Sequence, residues 1–313
     1  MTTQYLRKFS LVVSNAGTAL ELSEFRCVFK VNQSDCQSPN NANVKIYNLS
    51  DQTAQQIQKE FTRITLQAGY ENGPYGVIFD GTVRRVFRGK DVVPSIRINR
   101  ETPTETYLEI NAGEGDDPYN SATINKSLAA GTTQADQIKA LADSAKLTVY
   151  DPFQFGAVTQ NLRGVVLFGM ARDYLRAAIL PSGWRWSVNG KGQLVLIPNT
   201  AYLPGEAVVL NSQTGLIGMP QQTQDGLVVD ALLNPKIQIG CALKINNADV
   251  VKQGFDPGYR AFNFPPPTSA DGLYRVLVAE HQGDTRNEPW YTHMIALSID
   301  PSSSIQNSVK AAG

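Results

Sequence analysis

Histidine and cysteine are scarce in this chain, and neither stands in a pattern that builds a reactive site. His281 and His293 are the two histidines among 313 residues, twelve apart, which predicts places on different strands. Cys27, Cys36 and Cys241 are an odd number without a CxxC pair, which argues against a disulfide framework and a zinc site and fits thiols kept reduced. No apolar run reaches the roughly 18 residues a membrane helix needs, and the polar start MTTQYLRKFS lacks a signal-peptide stretch, so the reading expects no direct membrane insertion. Excess charge of either sign is missing too: 28 basic residues balance 28 acidic ones, which gives no electrostatic footprint for tight nucleic-acid binding.

What is present is a folded chain with an unusually bland surface. Hydrophobic residues make up 42% and charged residues 18%, below the usual quarter, as extensive subunit contact would explain. The length predicts two or three domains.

Period-two alternation dominates the first third. Phe9, Leu11 and Val13 share one strand face, and Phe25, Cys27, Phe29 and Val31 another. Ser50 is placed to cap a short helix carrying Ala54, Ile57 and Phe61, after which Ile64, Leu66 and Ala68 return to alternation. Strands are expected around 81–88, 92–99 and 104–111. The character changes at NAGEGDDPYN, where Glu114, Asp116 and Asp117 read as a solvated boundary loop. Thr133 and Asp136 form a capping-box pattern ahead of an apolar stripe, and a second helix is expected over 165–180. GWRWSVNGKGQLVLIP reads as a hairpin turning at Asn189 and Gly190, with Trp184 and Trp186 packed on neighbouring helices. Beyond Pro204 alternation returns; FNFPPP is expected to be a stiff loop and PSSSIQNSVKAAG a flexible tail.

The sequence carries no motif that marks catalytic chemistry. His281 with Asp284 has no GxSxG elbow to complete a triad, and it reads as a histidine at a strand end bonded to its loop. The acidic group at 114–117 lacks the spacing of a calcium loop, and GWRWSVNGKG fails the phosphate-loop register. The expectation is therefore a non-enzyme with no cofactor and no metal. Carboxylate pairs of the kind glycoside hydrolases use depend on spatial separation and are not readable from sequence.

Two signatures carry a resemblance: SPNNANVKIYNLSDQTAQQI at 38–57, and TGLIGMPQQTQDGLVVDALLNPKIQIG at 214–240. FTRITLQAGY, IFDGTVRRVFRG, EINAGEGDDPYNSATINKSLAAGTT, LRGVVLFGMARDYL and YRVLVAEHQGDTRNEPWYT extend it over most of the chain. In order and spacing they resemble the baseplate hub proteins of contractile-tailed bacteriophages, in a form more compact than the T4-type hub below the tail tube. The resemblance implies a β-rich α+β chain: a tube-type β-barrel domain at 1–111, an α/β middle domain at 112–203, a second tube-type domain at 204–300, and the tail at 301–313. It further implies a homotrimeric symmetry adaptor in the virion, assembled in the host cytoplasm. Its partners would be a central spike protein below, tail tube or tube-initiator proteins above, the tape measure protein and baseplate wedge proteins, with DNA passing only passively. A hexameric tail tube or tube-initiator protein is the alternative, and a tail-associated cell-wall hydrolase a remoter one.

Within GYENGPYG, Tyr70, Asn72, Pro74 and Tyr75 are the candidate partner-interface residues, as exposed aromatics flanking a rigid Asn-Gly turn, with packing of the tyrosines against the parent barrel as the equal alternative. Arg84, Arg85 and Arg88 are expected to turn away from any DNA passage or to be paired.

Overall fold

The computed structural model describes residues 4–35, 39–92, 104–156, 160–223, 225–251, 268–269 and 271–298. Three apolar clusters organise the described chain.

The first cluster is built from β1 (Arg7–Ser14), β2 (Ala19–Glu21), β3 (Cys27–Ser34), β4 (Asn41–Tyr47), helix α1 (Asp51–Glu60), β5 (Arg63–Tyr70), β6 (Tyr75–Val92) and β7 (Thr104–Gly113). Alternation does what it predicts: Cys27, Phe29 and Val31 of β3 and Ala42, Val44 and Ile46 of β4 enter the core, and the residues between them face outward. Ser50 stays extended and accepts the Thr53 N–H at 3.1 Å, which starts α1 and turns Ala54 and Ile57 inward. The strands expected at 81–88 and 92–99 are not separate as far as Val92. Residues 75–92 form one strand with extra residues at Ile78 opposite β5 and at Arg84 opposite β7, bulges that bend and twist it locally; the remainder, 93–103, lies outside the described residues.

The second cluster joins α2 (Asp116–Ser121), β8 (Thr123–Leu128), α3 (Gln134–Ser144), β9 (Thr148–Tyr150), β10 (Val165–Met170), α4 (Ala171–Ile179), β11 (Trp184–Val188) and β12 (Gln193–Pro198). Thr133 and Asp136 cap each other reciprocally at the start of α3. The helix expected over 165–180 divides instead: Val165–Met170 pairs with β8, and only Ala171–Ile179 is helical. Val165 and Val166 favour the strand, and an apolar run this short fits either period. β11 and β12 turn at Asn189, whose side chain accepts from the Lys191 and Gln193 N–H groups. Trp186 is buried in this cluster and Trp184 packs against it, Phe155 at 5.0 Å from the Trp184 ring.

The third cluster collects β13 (Val208–Leu210), β14 (Leu216–Thr223), β15 (Gly226–Leu232), β16 (Ala242–Ile245), β17 (Leu273–Asp284) and β18 (Trp290–Ser298). FNFPPP and PSSSIQNSVKAAG lie outside the described residues. Two tube-type barrels were the expectation, and here the strand pairing differs. The first and third clusters share one 13-stranded sheet, whose path runs β14-β15-β18-β17-β3-β4-β7-β6-β5-β1-β2, and among the described residues it does not close. The cause is the length of β17. Its first residues pair with β16, and 278–284 continue beyond that partner to pair with β3, Val31 opposite His281. Phe9, Phe29 and Trp290 stack across this seam, with Phe9–Phe29 at 5.6 Å and Phe29–Trp290 at 5.4 Å. Each buried ring contributes about 2–3 kcal/mol through apolar area, and each ring pair adds roughly 1 kcal/mol.

Candidate interaction surface

Because side chains alternate across a strand, the sheet that buries Phe29 and Val31 on one side must present its other side outward. Along the path from β14 to β6, strand pairing sets Ile217, Asp230, His293, Glu280, Asn32 and Asn41 in one row, and Tyr291, Gln282, Lys30, Asn43, Asn111 and Arg85 in the next. These side chains bond to one another across the strands. Asn32 donates to Asn41 at 3.0 Å, Asn43 to Asn111 at 3.1 Å and to Glu109 at 2.5 Å, and Lys30 meets Glu280 at 2.9 Å. Lys45 lies 3.3 Å from Asp91 and 4.3 Å from the centre of the Tyr107 ring. Arg26 bridges Asp284 at 2.8 Å and Glu105 at 3.2 Å. The side chains of this face include four cations, Arg26, Lys30, Lys45 and Arg85, and six carboxylates, Asp91, Glu105, Glu109, Asp230, Glu280 and Asp284. The result is a broad polar surface whose lysines are neutralised in place. Sequence reading missed it as a site, although Asn41, Asn43 and Lys45 alternating with Ala42, Val44 and Ile46 carried the signal.

On β6, Arg88 pairs with Asp51, and Arg85 stands on the polar face itself, its guanidinium 4.1 Å from the centre of the Phe87 ring.

The GYENGPYG turn joins β5 to β6, with the Tyr70 N–H donating to the Pro74 carbonyl at 3.1 Å. Gly69 is required there, since a Cβ would lie 2.1 Å from that carbonyl oxygen. Of the two readings of this turn, Tyr70 takes the packed one. Tyr70 is only 4% exposed, its hydroxyl bonded to the backbone of Leu233, and burial pushes its pKa up to about 12. Tyr75 is half-buried beneath Lys8, whose ammonium lies 4.7 Å from the ring centre; Pro74 is half-buried and Asn72 is exposed.

Two acid-base groups also depart from expectation. Glu114 is buried, not solvated: it accepts from Asn40 at 2.8 Å and from the Asp80 N–H at 3.0 Å, and burial pushes its pKa up to about 6. His281 sits within β17, not at its end. Burial holds its pKa down to about 4. Thr292 accepts from the Asn234 N–H, so its hydroxyl hydrogen is free for His281 Nδ1 at 2.9 Å, and the Nε2–H is left for the Ile237 backbone. That is a fully satisfied neutral imidazole. His293 bonds Asp230 at 2.6 Å on the polar face. Among the described residues no three His, Cys, Asp or Glu side chains are grouped to hold a metal ion, and no helix is long and apolar enough to cross a membrane.

In fold the chain is similar to phage tail proteins. Aligned to the 43 kDa tail protein of prophage MuSo2 from Shewanella oneidensis, the chain is covered over 94% and the tail protein over 98%, with a TM-score of 0.56 and 7% identity. A tail protein from Neisseria meningitidis MC58 aligns over 94% of this chain and 97% of its own, with a TM-score of 0.53 and 8% identity. An E. coli type VI secretion component, described as similar in structure to the T4 tail proteins gp27 and gp5, aligns over 95% and 78%, with a TM-score of 0.51 and 9% identity. No family model and no curated protein matches by sequence. At such identities the likeness is one of fold.

Proposed function

We propose that this chain is a structural virion protein, the baseplate hub of a phage tail. Three copies close a ring that joins a six-fold tail tube to a three-fold central spike, with 1–111, 112–203 and 204–300 as its working units. Tube or tube-initiator proteins and the tape measure protein lie above the ring, the spike below it and wedge proteins around it. The observation that carries the reading is the polar face running unbroken from β15 to β6. A wall past which DNA must slide has to avoid neutralising phosphates, because each such contact adds salt-sensitive affinity. On this face Lys30 and Lys45 are already paired, and carboxylates outnumber cations. A sheet that stays open among the described residues, with strands at both ends, also suits assembly, since edge-to-edge pairing between copies satisfies backbone groups that would otherwise stay exposed.

The test is native mass of the purified protein, alone and co-expressed with the adjacent spike. The expected species is three times the 34.2 kDa chain, with interfaces of roughly 2,000 Å² or more. A hexamer under both conditions supports a tube or tube-initiator protein instead. A monomer under both conditions, or release of peptidoglycan fragments by the protein, overturns the hub reading. Micromolar binding of duplex DNA at physiological salt overturns the role given to the polar face.

A further inference from the structure

The three apolar clusters meet at one buried carboxylate. Asp35 follows directly on β3, in the first cluster's sheet; Arg185 is the second residue of β11, between the two tryptophans of the second; Arg275 belongs to β17, beside the third. The three side chains are 3%, 6% and 3% exposed. Arg275 Nη2 donates to Asp35 Oδ2 at 3.0 Å, and its Nη1 donates to the carbonyls of Pro198 and Ala201, at 2.9 and 3.0 Å, in the segment that leaves β12. Arg185 Nη1 donates to the Asp35 carbonyl at 3.1 Å and lies 3.8 Å from its carboxylate, while Nε donates to Asn199 Oδ1 at 3.2 Å. The Asp35 N–H in turn donates to the Leu277 carbonyl at 2.7 Å.

Planar guanidiniums donate in fixed directions, so two of them bound to one aspartate admit few relative orientations of the strands that carry them. The apolar contacts around the node are non-directional and would tolerate sliding. Ion pairs buried this deeply are seldom stabilising against an apolar replacement, and a role in setting one arrangement is their best-attested use.

We propose that Asp35, Arg185 and Arg275 form a positioning joint that fixes the β11–β12 hairpin and the 198–201 segment against the large sheet, and that the sheet itself does not need it. The proposal stands independently of the hub reading. It is tested on the full chain by hydrogen exchange and by tryptophan emission in a Trp290→Phe background, which reports from Trp184 and Trp186 on either side of Arg185. Asp35→Asn is expected to raise exchange at least about tenfold in β11, β12 and 198–201 and to shift the emission to longer wavelength, while β4 and β7 keep their protection. Arg185→Met should reproduce the effect in the hairpin, and Arg275→Met in 198–201. Equal loss of protection in β4 and β7 would make the node a general stability element and overturn the proposal, as would no change anywhere. Should any single variant fail to fold, the triple variant Asp35→Leu/Arg185→Met/Arg275→Met decides: it keeps an apolar junction without directional bonds. Raised exchange confined to the hairpin and 198–201 supports the joint, and wild-type protection there overturns it.

Discussion

The large sheet and the small sheet of β8 and β10 both turn one face to a core and the other outward, yet they finish the outward face in opposite ways. On the large sheet the outward positions carry Asn32, Asn41, Asn43, Lys30 and Glu280, bonded to one another across strands. On the small sheet Val166 and Phe168 are 68% and 73% exposed, and Leu162 nearby is 96% exposed. The Phe168 ring is displayed on a fixed backbone, because the Tyr174 hydroxyl accepts from the Phe168 N–H at 3.1 Å and donates to its carbonyl at 3.2 Å. The comparison teaches that backing and facing are separate properties. A buried core backs both sheets, yet the large one carries a face made for water and the small one a face water does not suit.

The sharpest way to break the comparison is to cut a large ring from each side. Phe29→Ala removes the centre of the aromatic stack beneath the polar face and should cost about 3–5 kcal/mol in denaturant unfolding. Phe168→Ser removes a ring of similar size that is mostly in water and should change stability by less than about 0.5 kcal/mol. Comparable losses from both would mean that the β10 face is covered within the chain in solution.

Much of the fold was legible because the forces are local. The alternation in β3 and β4, Ser50 as a cap, the Thr133–Asp136 box and the Asn189 turn each depend on neighbours within a few residues. What stayed hidden depends on distant partners. The pairing of β3 with β17 joins residues about 250 positions apart, as Lys30 with Gln282, and nothing in either strand names the other. Tyr70 looked like an exposed anchor because the backbone of Leu233 that holds its hydroxyl is distant in sequence, and Glu114 looked solvated because its partners Asn40 and Asp80 come from far along the chain. The polar face was readable strand by strand but not as a surface.

A second contrast lies between two buried acid-base groups, and their signs oppose. His281 binds its proton less tightly folded, at about 4, than in an unfolded chain near 6.5, so the folded state gains about 3 kcal/mol as pH rises through that window. Glu114 binds its proton more tightly folded, at about 6 against 4.5, so the folded state loses about 2 kcal/mol as pH rises from 4.5 to 6. Across pH 4.5–6 the two slopes largely cancel. Relative to wild type, His281→Gln should therefore lose stability as pH rises through that window, and Glu114→Gln should gain it, measured by urea unfolding at fixed salt. Parallel curves for wild type and both variants would sink this account.

The smallest expected effect concerns the polar face itself. Lys30 and Glu280 are 2.9 Å apart on adjacent strands, but the lysine is half exposed, so water and salt screen the pair and holding two long side chains in register costs entropy. A double-mutant cycle with Lys30→Ala and Glu280→Ala should give a coupling of about 0.2–1 kcal/mol that shrinks as salt is raised. Function should respond differently from stability. Removing Glu280 frees an ammonium on a face proposed to let DNA pass, so Glu280→Ala should raise duplex DNA affinity at low salt while leaving unfolding almost unchanged, and Lys30→Ala should not. Identical DNA affinity for both variants and wild type would show that pairing on this face is incidental to keeping phosphates off it.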